Sequence, residues 1–143
     1  MPNPFEVTRG TFTISTDPSR LDVDAIFGFL ARAYWADDRP RDRIERSLAN
    51  SLVFGLYDGT KQIGLARVVT DYANFAWLCD VFIDEAYRGR DLGKWLMESV
   101  LSHPDLQGLR RFLLATRDAH GLYARYGFEP LKNPERWMQK YNG

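Results

Sequence analysis

The chain has one cysteine, Cys79, two histidines and no surplus of charge, with nineteen basic and nineteen acidic side chains. A single thiol excludes an intramolecular disulfide and any cysteine-built metal site, and no metal is expected. Cys79 stands inside an apolar run, where it reads as a small buried hydrophobe rather than a nucleophile. Balanced charge argues against a nucleic-acid or anionic-membrane surface as the main partner, while leaving room for a local basic patch. No stretch approaches the roughly 18 apolar residues of a membrane span. The first residues also lack the charged-then-apolar pattern of a signal peptide. A cytoplasmic protein with neither nucleic acid nor membrane as partner is the expectation. Repeats, low-complexity segments and interdomain linkers are absent as well.

What is present suits one packed domain over residues 1–143: 45% of the residues are hydrophobic and 27% charged. Residues 1–10 hold two prolines and little periodicity, and are expected to form a loose tail. A short alternating run over 11–15 predicts an edge strand. Apolar spacing through Val23, Ile26, Phe27, Leu30 and Ala33 predicts a helix over 22–34, with Asp22 or Ser19 as N-cap. Pro40 enforces a break over 34–40, and a second, mostly polar helix is expected over 41–50. Two strands over 52–57 and 63–70 flank Asp58-Gly59, a strong hairpin signal because the pair accepts positive φ. A third antiparallel strand over 76–83 is apolar apart from Asp80.

The strand at 76–83 feeds a loop with two arginines and then a helix. The helix carries Leu92, Trp95, Leu96, Val100 and Leu101 at the spacing of one buried face. A glycine-containing loop at a helix N-terminus presents backbone N–H groups and the positive end of the dipole to one point. Arg88, Arg90 and Lys94 flank that point, so an anion is expected there, a phosphate above all. A Gly-Lys-Ser or Gly-Lys-Thr phosphate loop is absent, which weakens an unrelated nucleotide-binding reading. The run over 111–116 completes a strand–helix–strand unit whose two strands should be parallel. A short helix over 119–126, stopped by Gly127, and two closing strands over 128–131 and 136–141 finish the chain. The expected fold class is α+β: a twisted, mostly antiparallel sheet with one parallel βαβ element and helices on both faces.

The order of elements, the loop Arg88-Gly89-Arg90-Asp91-Leu92-Gly93 and the ending Leu122-Tyr123-Ala124-Arg125-Tyr126-Gly127-Phe128 resemble the GCN5-related N-acetyltransferase (GNAT) family, from about Thr11 onward. The family's loop motif is Arg or Gln, two residues, Gly, one residue, then Gly or Ala; here Asp91 replaces the first motif glycine. The resemblance implies acetyl-CoA as cosubstrate, its pyrophosphate wrapped by Arg88, Gly89, Arg90, Asp91, Leu92, Gly93 and Lys94. It implies that the pantetheine arm adds to the strand end at Val81, Phe82 and Ile83. Asp91 is expected to turn its carboxylate outward. Thr116 stands where the family often has an asparagine that bonds the pantetheine.

The implied reaction is transfer of an acetyl group to a primary amine by direct attack, the acceptor being a small-molecule or peptide amine. Tyr123, four residues before Gly127-Phe128, takes the family's position for the general acid. Asp80 stands where the parallel strands should separate. Burial would raise its pKa toward a useful range for a base, and the competing reading is a hydrogen-bonded structural carboxylate. Water-relayed deprotonation and His120 are further options for the base. Trp35, Asp37 and Asp38 either pack and face water or form the rim of an amine site. A binding or sensory module that keeps the acyl-CoA site without turnover is the alternative function, and a monomer or homodimer is expected.

Overall fold

The hairpin at Gly59 forms the middle of the sheet. The computed structural model describes residues 3–33 and 39–142. In it β3 (Leu52–Asp58) and β4 (Lys61–Thr70) pair antiparallel around Gly59 at φ +59°. Asp71 then turns the chain, its Oδ1 accepting from the backbone N–H groups of Ala73, Asn74 and Phe75. That turn lays β5 (Phe75–Ile83) antiparallel against β4. A parallel strand, β6 (Arg111–Leu114), follows beyond the crossover through a helix. On the other side β2 (Phe12–Ser15) pairs with β3, and β1 (Glu6–Arg9) with β2. Among the described residues six strands thus run in sequence order across one sheet with a single parallel pair, as the α+β reading expects.

Alternate residues along each strand enter different cores, as the two-residue period of a strand requires. Val53, Leu65 and Phe82 pack with α1 (Val23–Ala31) and α2 (Arg41–Ala49). Phe54, Leu56, Ala66 and Val68 pack with the crossover helix α3 (Leu92–Ser102). On α3 the spacing of Leu92, Trp95, Leu96 and Val100 buries all four. Leu96 and Val100 are 1% and 0% exposed, and burial of such a side chain stabilises by about 1.5–3 kcal/mol. Pro104 stops the helix by holding His103 in extended geometry, at φ −59° and ψ 129°. Asp22 caps α1 through its side chain and is tied to β4 by its backbone N–H, which donates to the buried Gln62 at 2.8 Å.

Three expectations are corrected. Residues 6–9 are not a loose tail but β1, which hairpins onto β2 through Gly10 at φ +60°. It therefore displaces the 11–15 run from the edge of the sheet. The anchor is Phe5, whose ring packs on Phe54 and His103. The closing strands over 128–131 and 136–141 do not form: residues 128–142 hold only a short 3-10 turn at Pro134–Arg136. Pro130 and Pro134 withhold N–H donors there, and the segment is largely exposed. α1 ends at Ala31, three residues before the expected end, and the last helix, α4 (His120–Ala124), is shorter than 119–126. Gly127 does stop α4 at φ +91°, with the Phe128 N–H donating back to the Tyr123 carbonyl.

Candidate active site

Two local irregularities in β5 open the site. The β4–β5 register pairs Leu65 with Phe82 but Arg67 with Cys79, so β5 carries an extra residue opposite Ala66. Asp80 takes up that bulge in the left-handed region, at φ 52°. On its other side β5 pairs with β6 only through Leu78, opposite Leu114. Among the described residues, Cys79 to Ile83 therefore have no strand partner on the β6 side. The parallel strands separate just where Asp80 stands.

One cavity, of about 650 Å³, runs from this splayed edge to the start of α3. Val81, Phe82 and Ile83 form one wall; Arg88, Gly89, Asp91, Leu92, Gly93 and Lys94 form the end, and Tyr123 of α4 closes the far side. The first intrahelical bond of α3 runs from the Trp95 N–H to the Asp91 carbonyl at 3.1 Å, so the N–H groups of Leu92, Gly93 and Lys94 precede it. Asp91 is the N-cap, at φ 60°, yet its carboxylate makes no capping bond. These donors and the helix dipole are left for an anion.

Gly93 tests the fit to a ligand. Its φ is ordinary, and a Cβ there would meet only Ile83 Cγ1, at 4.0 Å. A helical glycine costs about 1 kcal/mol relative to alanine, and no packing within the chain demands it. Gly93 and Ile83 both line the cavity, so a close ligand approach is open there. The loop itself is fastened by Tyr87, whose hydroxyl donates to Asp58 Oδ2 at 2.9 Å and whose ring meets Phe12 edge-on. Arg88 Nε donates to the Ile83 carbonyl at 3.0 Å, and its guanidinium lies 5.4 Å from the Phe82 ring centre. Arg90 stacks on Tyr87 instead and does not line the cavity.

A second cavity, of about 400 Å³, lies behind the bulge and is lined by Arg39, Arg67, Cys79, Asp80, Thr116 and Tyr123 among others. Asp80 accepts from Arg39 Nη1 and Nη2 at 2.8 and 3.1 Å and from Arg67 Nε at 2.8 Å. Burial alone would push this carboxyl up, but the hydrogen bonds from the two guanidiniums outweigh it and hold the group below the usual carboxylate range. The expected rise toward a basic pKa is thus overturned, because the pair that meets Asp80 is cationic. Cys79 is half-buried rather than fully buried; partial burial still pushes its pKa up to about 11, and Sγ donates to the Arg67 carbonyl. Thr116 lines this second cavity rather than the first, and its hydroxyl caps the turn before α4 by accepting from the Ala119 N–H at 3.0 Å.

Tyr123 and Val81 line both cavities, so the two spaces border the same two residues. The Tyr123 ring is held edge-on by Phe128. His120, one turn earlier, is exposed and lines neither cavity. Trp35, Asp37 and Asp38 lie outside the described residues. Sequence reasoning missed Arg39 and Arg67. A signal was present for the second, since Arg67 is the one charge in the apolar run 63–70, next to the strand that holds the lone Asp80.

The Acetyltransferase (GNAT) family profile matches residues 21–128. A Gibberella zeae protein provisionally named an acetyltransferase is 35% identical over 85% of this chain and 81% of its own. A crystal structure of a GNAT-family protein from Xanthomonas campestris pv. campestris shares 49% identity, with a TM-score of 0.89 over 92% of this chain and 93% of that one. The fold is also that of a GNAT acetyltransferase from Elizabethkingia anophelis with acetyl-CoA bound. That match has a TM-score of 0.66 and 15% identity, over 87% of this chain and 80% of that one. On the family match and the close relatives, this chain belongs to the GNAT family and is an N-acetyltransferase.

Proposed function

We propose that the chain transfers the acetyl group of acetyl-CoA to a primary amine by direct attack, with Tyr123 as the general acid. Bound acetyl-CoA supplies an activated thioester. The open edge of Val81, Phe82 and Ile83 suits a pantetheine arm that hydrogen-bonds like an added strand. The uncapped N–H groups of Leu92, Gly93 and Lys94, with Arg88 and Gly89 beside them, suit its pyrophosphate. Arg90 contributes positive charge from outside the cavity wall, and Thr116 serves the acceptor cavity rather than the cofactor.

The observation that carries the reading is the junction at Tyr123 and Val81. Both residues line each of two cavities, and on this reading one takes the cofactor and the other the acceptor. An amine nitrogen gains the acetyl group there while the departing sulfur takes the proton of the Tyr123 hydroxyl. A phenol serves because it is protonated at neutral pH. Asp80 is a poor base in this arrangement, since two guanidiniums favour its charged form. Its role is to position Arg39 and Arg67, and the amine loses its proton to water in the acceptor cavity. A thiol-release assay over a panel of amines tests the reading. Tyr123→Phe should lower kcat by about a hundredfold or more and leave acetyl-CoA affinity unchanged. Release of CoA to none of the amines would overturn it.

A further inference from the structure

Among the described residues that line it, the acceptor cavity carries more positive than negative charge on its inner wall. Arg39 and Arg67 converge on a single carboxylate, Asp80, in a space where their side chains are only 20% and 12% exposed. Each guanidinium offers five N–H donors. Arg39 uses Nη1 and Nη2, both toward Asp80. Arg67 gives Nε to Asp80 and Nη1 to the Ser51 hydroxyl, at 3.0 Å. Donors remain on both side chains. The other charged lining residue is Asp118, which is 68% exposed at the rim and pairs with Arg117 at 3.5 Å. The inner wall thus holds two cations against one anion among the described residues.

A carboxylate shared by two guanidiniums engages only part of their donor set, and the remaining N–H groups suit a second oxyanion. We infer that Arg39 and Arg67 form an anion subsite in the acceptor cavity, so that the acceptor is an amine that also carries an oxyanion, a carboxylate or a phosphate. The inference rests on the acetyltransferase reading of this site. Guanidinium geometry matches either oxyanion through paired N–H donors. The volume, about 400 Å³, suits a small molecule. With the anion on the arginines, the amine is left to reach the Tyr123–Val81 end of the cavity. Trp77 and Leu78 supply apolar wall between the charged groups. Asp80 keeps both guanidiniums positioned and partly neutralised.

The test compares amino acids with their own carboxamides, which differ in charge and little in shape, and adds aminoalkyl phosphates as a third arm. For the wild-type protein with acetyl-CoA, kcat/KM should favour the anionic amines over the amides by about ten- to a hundredfold, chiefly through KM. The carboxylate and phosphate arms identify which oxyanion is taken. Arg39→Gln should erase most of that preference, and Arg39→Lys should retain part of it. Equal or better turnover of the amides would overturn the inference while leaving the acetyltransferase reading intact. If no amine of any arm releases CoA, the catalytic reading fails instead. Titration of the same compounds into the CoA-loaded protein, followed by thermal shift, then decides the subsite. Stabilisation by the anionic amines alone, lost in Arg39→Gln, sustains it, and no selectivity ends it. Should Arg39→Gln not fold, the wild-type comparison of acid with amide stands by itself.

Discussion

Arg39 grips Asp80 with both terminal nitrogens, at 2.8 and 3.1 Å, across 41 positions of sequence. The contact joins the segment before α2 to the bulge of β5, and Arg67 closes it from β4 at 2.8 Å. Removing the carboxylate leaves two guanidiniums facing each other in a confined space. Asp80→Asn should therefore destabilise the fold by about 3–5 kcal/mol. Urea unfolding at neutral pH reads this, and an unchanged midpoint would contradict it.

The same carboxyl sets an acid limit. Its folded pKa lies below the ordinary value near 4, because the guanidinium hydrogen bonds outweigh burial. A group of this kind contributes its full stability above the unfolded pKa and loses it as pH falls through the folded one. Stability of the wild type should decline as pH drops below about 4, and the gap to Asp80→Asn should narrow over that window. Parallel urea titrations across pH would show the convergence.

Asp91 occupies a left-handed N-cap, makes no capping bond and lines the proposed pyrophosphate end. Glycine would take that backbone without a Cβ penalty and would remove a negative charge beside the anion. Asp91→Gly should tighten acetyl-CoA binding several-fold, about 1 kcal/mol for one such charge near a helix N-terminus. Calorimetry that finds equal or weaker binding would sink the idea.

Gly93 separates stability from binding. Alanine gains helix propensity there, and only Ile83 Cγ1 lies within 4.0 Å of the added methyl. Gly93→Ala should raise the unfolding free energy by up to about 1 kcal/mol and weaken acetyl-CoA binding. A variant that is both more stable and equally good at binding would show that the ligand does not approach this atom.

Gly55 is a contrasting case, fixed by packing. A Cβ at this position would lie 2.3 Å from the Tyr57 hydroxyl oxygen and within 2.7 Å of two ring carbons. Tyr57 is 1% exposed, so its ring has nowhere to move. Gly55→Ala should cost about 1–3 kcal/mol, measured as a lower thermal midpoint with acetyl-CoA affinity per folded molecule unchanged.

Much of this protein was determined locally, and those parts could be read from the chain. The apolar runs of β3 to β5, the Asp58-Gly59 turn, the buried stripe of α3 and the Gly127 stop each depend on residues a few positions apart. Strand–loop–helix order likewise brought Val81 to Ile83 and the start of α3 to one cavity, because a helix N-terminus carries its donors wherever it goes. Tertiary structure decided what depended on distant partners. β1 forms because Phe5 finds Phe54 and His103, while the strand-like ending at 136–141 finds no ladder. The lone carboxylate in the strand was legible as a special residue, but its chemistry was not. Burial by itself would have made Asp80 a base, and two arginines from other segments made it an anchor, since the sign of a pKa shift is set by the charges that the fold brings alongside.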